Sequence, residues 1–81
     1  MQIKVRLFAF LKETIGQEEM NLRLSETASC ADVLFILSRS FPKTAQVLQN
    51  SWVAVNGRYA FPDQKLFAED EVAILPPVSG G

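Results

Sequence analysis

Histidine is absent from this 81-residue sequence, and cysteine occurs only once, as Cys30. Without histidine the chain lacks the commonest general base and a common metal ligand, and neither a Ser-His-Asp triad nor a Cys-His pair can form. A single cysteine cannot form an internal disulfide or a cysteine cluster for zinc. The glycines form no phosphate-binding loop, because Gly16 and Gly57 stand alone and Gly80 and Gly81 lie at the end of the printed sequence. We therefore expect no self-contained active site, and no metal or cofactor bound by this chain.

Charge and hydrophobicity exclude further classes of protein. Charged residues make up 21% of the sequence, the net charge is −1, and 48% of the residues are hydrophobic. This balance argues against disorder and offers no basic face for nucleic acid. No apolar run approaches the roughly 20 residues of a membrane span. Lys4, Arg6 and Lys12 interrupt the N-terminal segment, so we do not expect a signal peptide. These features predict a single soluble, cytoplasmic domain without a membrane partner.

Alternation of apolar and polar residues predicts strands in five places. In the first segment, Ile3, Val5 and Leu7 share one face, which is typical of a strand with one buried side. The segments predicted as strands are QIKVRLFAF, EEMNLRL, SWVAVN, RYAF and DEVAIL. Asn56-Gly57, between the third and fourth, favours a type I′ hairpin turn, in which both residues have positive φ.

One long helix is predicted from about Cys30 to Phe41. Ser29 is a suitable N-cap, and Pro42 ends the helix. We expect Leu34, Leu37 and Phe41 to form its buried stripe, and Cys30 to be a buried, inert residue. Shorter helical turns are predicted in LKETIG and PKTAQVLQ.

The order strand, strand, helix, strand, short strand, strand favours an α+β fold in which one main helix crosses a mixed sheet. This pattern resembles the β-grasp, or ubiquitin-like, fold, whose first and last strands are central and parallel neighbours. We assign residues 1–75 to this domain and residues 76–81 to an extended C-terminal tail.

Three segments carry a resemblance over essentially the whole chain: IKVRLFAFLKETIG, VAVNG and AEDEVAILPPVSGG. The sequence resembles the small, ubiquitin-like sulfur-carrier subunits of molybdopterin synthase. It departs from them at Glu69, where the family usually has glycine before the last strand. A residue with a side chain there must tolerate a strained backbone or use another turn.

The C-terminal tail is the segment to which the resemblance assigns the chemistry. Pro76 and Pro77 fix φ, which sends the tail away from the sheet in a defined direction, and Gly80 and Gly81 give the narrow backbone that a partner's tunnel could enclose. The resemblance implies that a ubiquitin-activating-type enzyme uses ATP to adenylate the carboxylate of Gly81. It further implies that Gly81 becomes a thiocarboxylate and donates sulfur to a pterin precursor held by a large subunit, in a heterotetramer. The tail residues preceding Gly81 are Pro76, Pro77, Val78, Ser79 and Gly80.

A partner-binding patch is predicted on the face of the sheet opposite the helix. Alternation places Phe8 and Leu75 there, and a two-residue turn would pair Ala54 with Tyr59 on the same face. Exposed apolar patches commonly mark protein interfaces. The resemblance implies that Phe8, Tyr59 and Leu75 dock onto the large subunit.

Other interpretations remain open at this point. We interpret Trp52 and Phe61 as a second side of the core or as scattered surface aromatics. The same fold and Gly-Gly ending also occur in the sulfur carrier of thiamine synthesis and in protein-conjugating relatives. A β-grasp interaction module without covalent chemistry is a third possibility.

Overall fold

The structure is a computed structural model that describes residues 1–77. The predictions for Val78, Ser79, Gly80 and Gly81 fall outside the described residues. The elements are β1 (Gln2–Leu7), α1 (Ala9–Ile15), β2 (Glu19–Arg23), α2 (Cys30–Ser40), a 3-10 turn (Pro42–Thr44), α3 (Ala45–Gln49), β3 (Trp52–Val55), β4 (Arg58–Ala60) and β5 (Glu71–Leu75). No helix within residues 1–77 is both long enough and apolar enough to cross a bilayer.

The five strands form one mixed sheet in the order β2-β1-β5-β3-β4. The first and last strands are parallel neighbours at its centre, and every other pair is antiparallel. This arrangement confirms the predicted α+β, β-grasp architecture. The first strand is shorter than predicted, because the chain enters α1 directly after Phe8. β5 ends at Leu75, and the assignment of residues 76–81 to a separate tail stays a prediction.

The core lies between the inner face of the sheet and α2. Buried side chains of the three central strands are Ile3, Val5, Leu7, Val53, Val55, Val72 and Ile74. From the helix, Cys30, Val33 and Leu37 complete this core. The predicted helix stripe is wrong in part, since Leu34 and Phe41 are only half-buried. Positions 30, 33 and 37 face the sheet, whereas Leu34 faces a groove against α3.

Local sequence signals determine where α2 begins and how the β3–β4 hairpin turns. The Ser29 N–H donates to Oδ2 of Asp32 at 2.8 Å, which satisfies a donor at the start of the helix. Asn56 and Gly57 have φ of 51° and 86°, as a type I′ turn requires. Glu69 has φ of 69°, so this position keeps the left-handed backbone that glycine would tolerate more easily.

A hydrogen-bond network ties the hairpin turn to the start of β5. Asn56 Nδ2 donates to Oδ1 of Asp70 at 2.9 Å, and Asn56 Oδ1 accepts from the N–H of Glu71 at 2.9 Å. Oδ2 of Asp70 accepts from the N–H of Phe67 at 2.8 Å. Asp70 therefore has a structural role in the turn before β5.

Candidate functional site

The outer face of the sheet, opposite α2, carries side chains from alternate positions of each strand. Trp52 lies opposite Leu75 in the β3–β5 pair, and both alternate with buried neighbours. Phe8 has extended backbone one residue beyond Leu7, which pairs with Ile74, so the strand alternation turns Phe8 to the outer face beside Leu75. These residues form the first row of the candidate site.

A second row runs parallel to the first across the same face. It consists of Arg6, Ala73, Ala54 and Tyr59, each the cross-strand partner of the next. The predicted pairing of Ala54 with Tyr59 is confirmed. The Tyr59 ring also packs edge-on against Trp52, with ring centroids 5.9 Å apart. The two rows are therefore joined by an aromatic contact.

All three residues of the predicted patch lie on this face, and the structure adds a fourth. Phe8 is 39% exposed, Tyr59 is 73% exposed, and Leu75 is half-buried. Trp52 is 65% exposed and lies between Leu75 and Tyr59, so it belongs to the patch and is not a second side of the core. Alternation within WVAV could have located it, because Val53 and Val55 point inward. We call Phe8, Trp52, Tyr59 and Leu75 the docking face.

A charged border adjoins the docking face on β1, β2 and the start of β5. Arg6 Nη1 lies 3.6 Å from Oε1 of Glu71, and Lys4 Nζ lies 3.5 Å from Oε1 of Glu19. These pairs are partly exposed, so each contributes little to folding stability. The border therefore limits the apolar surface on one side, and its charges remain available to a partner.

The chain leaves the sheet beside the docking face. Leu75 is both the last residue of β5 and a member of that face, and Pro76 and Pro77 follow it directly. Neither proline has an N–H to donate to a neighbouring strand, which explains why the strand ends here. Any protein that covers the docking face therefore also approaches the point from which residues 78–81 depart.

A comparison with protein-family models shows to which family this chain belongs. The family model described as "ThiS family" matches residues 5–81, nearly the whole sequence and all of the elements described above from Val5 onward. The chain belongs to the ThiS family.

Several relatives that match this ThiS family chain over its full length carry the same name, whereas two from Haloferax volcanii, 32% and 30% identical, are named small archaeal modifier protein 1 and 3. A protein of Dictyostelium discoideum named molybdopterin synthase sulfur carrier subunit is 40% identical, over 99% of this chain and 96% of that protein. A protein of the same name from Chlamydomonas reinhardtii is 39% identical over the full length of both. Among solved structures, SAMP1 from Haloferax volcanii is 29% identical, with a TM-score of 0.86 and complete coverage of both chains. These similarities confirm the resemblance and the β-grasp fold.

Among residues 1–77, the other reactive groups of this ThiS family chain form no second site. Cys30 is fully buried, and burial, followed by the charge of Asp70, raises the pKa of its thiol above the ordinary value of 9.0. A thiol in that state is a poor nucleophile, as predicted from the sequence. No cluster of three or more His, Cys, Asp or Glu residues suited to a metal occurs within the described part of the chain.

Proposed function

We propose that this chain is the sulfur-carrier subunit of a molybdopterin synthase. The observation that carries the proposal is the name shared by relatives 39–40% identical over essentially their full lengths. The match to the ThiS family extends through Gly81, so the Gly-Gly segment lies within the matched region. The absence of histidine supports a carrier that relies on its partners for catalytic groups.

The proposed chemistry takes place at the carboxylate of Gly81. A carboxylate is a poor electrophile, so an oxygen of Gly81 first attacks the α-phosphate of ATP, with pyrophosphate as the leaving group. A sulfur donor then displaces AMP from the acyl-adenylate and leaves a thiocarboxylate. The thiocarboxylate sulfur bonds to a pterin precursor, and water then hydrolyses the acyl–sulfur bond, which leaves the sulfur on the precursor and returns Gly81 to a carboxylate. ATP and the adenylating groups belong to a ubiquitin-activating-type partner, and the pterin site belongs to the large subunit of a heterotetramer.

The docking face is the proposed binding surface for these partners, in the cytoplasm. It presents exposed aromatic side chains next to the end of β5, and such residues dominate the affinity of many interfaces. A partner seated there could receive the tail, whose Pro76 and Pro77 restrict its direction and whose glycines have no side chains to obstruct a narrow channel. Phe8, Trp52, Tyr59 and Leu75 would supply affinity, while Gly81 would supply the reacting group.

The test separates binding from chemistry by changing only the tail. One variant carries an additional alanine after Gly81, and a second lacks Gly81. Both should bind the large subunit as the wild type does, because the docking face is unchanged. Sulfur loading by the adenylating enzyme, ATP and a sulfur donor should fail, because misplacing a reacting group by about 1 Å can cost about 10²-fold in rate.

Intact mass spectrometry reports the replacement of oxygen by sulfur in each variant, and a parallel binding assay provides the control. Normal sulfur loading of the extended variant would show that Gly81 is not the reacting residue. The similarity to SAMP1 supports a second candidate, a protein modifier. That function predicts products in which the carboxylate of Gly81 is joined to lysine side chains of other proteins. A chain that binds partners but forms neither product is an interaction module.

A further inference from the structure

Arg6 is the first residue of the row on the outer face that continues through Ala73 and Ala54 to Tyr59. Ala54 is nearly covered, although it lies on the outer face. The two alanines have short side chains, so no large side chain of this row separates Arg6 from Tyr59. The guanidinium of Arg6 is partly exposed and can therefore be reached by a protein that docks on this face.

The hydrogen-bonding capacity of Arg6 is only partly used. A guanidinium has five N–H donors in a planar fork. The closest carboxylate contact is Nη1 to Oε1 of Glu71 at 3.6 Å, which is longer than an ordinary N–H···O hydrogen bond. Nε is shielded from solvent and has no hydrogen-bond acceptor within the described part of the chain. The side chain is otherwise 42% exposed, so water can reach its remaining donors in the free protein.

A partner on the docking face would remove much of that water. Arg6 lies on β1 beside Ala73, two residues before Phe8, which follows the end of the strand on the same face. Burying a guanidinium without acceptors is costly, and a carboxylate matches its fork with two parallel hydrogen bonds. From this we infer that the docked partner presents a carboxylate to Arg6. The inference rests on the proposed function, which supplies the docking event.

Glu71 offers an alternative means of satisfying Arg6. It could move closer to the guanidinium when water is excluded, and the partner would then need no acidic residue. The two arrangements predict opposite effects of removing the Glu71 charge. If the partner supplies the carboxylate, Glu71 competes with it, and Glu71→Gln leaves binding unchanged or tightens it. If Glu71 alone satisfies Arg6, Glu71→Gln weakens binding.

The experiment measures dissociation constants for the isolated large subunit of molybdopterin synthase at low and at high salt. Arg6→Gln should weaken binding about tenfold or more at low salt and reduce its salt dependence. Arg6→Lys should recover part of the loss, since it keeps the charge without the fork. Lys4→Gln is the matched control, because Lys4 lies on the same strand and face, is 46% exposed, and has its own ion pair with Glu19. It should change affinity less than twofold.

The outcomes separate this inference from the proposed function. If Trp52→Ala weakens binding but Arg6→Gln changes it less than threefold, the carboxylate contact is wrong and the docking face stands. If Arg6→Gln and Glu71→Gln weaken binding equally, Glu71 accepts the hydrogen bonds of Arg6 in the complex. The partner then supplies no carboxylate, and the inference is again wrong. If neither Trp52→Ala nor Arg6→Gln affects binding, both the docking face and the contact are wrong. Thermal unfolding of each variant verifies that the change acts on binding.

Discussion

Burial determines the chemistry of Cys30, whose thiol lies at the start of α2. The residue is fully buried, and desolvation together with the negative charge of Asp70 raises its pKa. Both effects disfavour the thiolate, which is the reactive form of cysteine. A residue type that is often catalytic is therefore a core residue in this chain.

Alkylation tests this assignment of Cys30. Iodoacetamide at mildly alkaline pH should label the urea-unfolded protein readily and the folded protein very slowly. Because the folded pKa is raised, the thiol's contribution to the free energy of unfolding is complete below the unfolded pKa and is lost as pH rises through the folded pKa. Stability should therefore fall above about pH 9, the ordinary thiol pKa, and Cys30→Ala should lack that component of the slope. Equal labelling of the folded and unfolded protein would contradict the assignment.

At the scale of the element, α2 shows how the neighbouring segments select its buried face. Apolar residues at positions 33, 34 and 37 are all compatible with a buried stripe. Val33 and Leu37 are fully buried against the sheet, whereas Leu34 lines the groove against α3 together with Leu48. The helix is therefore rotated relative to the stripe that its own sequence favours.

Two leucine variants on this helix provide a matched comparison. Leu37→Ala should lower the free energy of unfolding by about 2–5 kcal/mol, since it leaves a cavity in the closed core. Leu34→Ala should cost clearly less, because Leu34 is half-buried and water can fill part of the space that it leaves. Urea unfolding of both variants measures the difference. Equal losses would show that the groove between α2 and α3 is as closed as the core.

At the scale of the whole molecule, exposed aromatic residues occur on both the outer sheet face and the helix side. The outer sheet face carries a cluster of exposed apolar residues next to the end of β5. On the helix side, Phe35 is 60% exposed, and the guanidinium of Arg39 lies 5.6 Å from the centre of its ring. The two sides expose aromatic residues to a similar extent, but the outer sheet face is the one that includes Leu75, the last residue of β5.

This difference predicts which exposed aromatic residue contributes to binding. Trp52→Ala should weaken binding of the large subunit by about 2 kcal/mol or more, as central aromatic residues of interfaces often do. Phe35→Ala should leave binding unchanged. Both variants should stay within about 0.5 kcal/mol of the wild type in unfolding, as is usual for surface sites. Binding calorimetry and urea unfolding test this, and equal binding losses would place the interface elsewhere.

Much of the candidate site could be predicted because alternation along a strand directly reports its two faces. Phe8, Tyr59 and Leu75 were placed correctly on the outer face from that pattern and from the hairpin turn at Asn56. The sequence leaves Trp52 open between core and surface, although its alternation with the inward-pointing Val53 and Val55 already favours the outer face. The register confirms this position, because it sets Trp52 opposite Leu75 and beside Tyr59. The role of each residue in binding stays a prediction.

The sequence by itself determined the elements, the hairpin turn and the absence of histidine chemistry, because these depend on local patterns and composition. It also supplied the Gly-Gly segment on which the proposed chemistry depends. Only the tertiary structure decided which apolar positions of α2 are buried, that Arg6 lies beside Ala73 and that Trp52 lies opposite Leu75. Those facts depend on the pairing of strands distant in the sequence, which is set by how the whole core packs and not by any one segment.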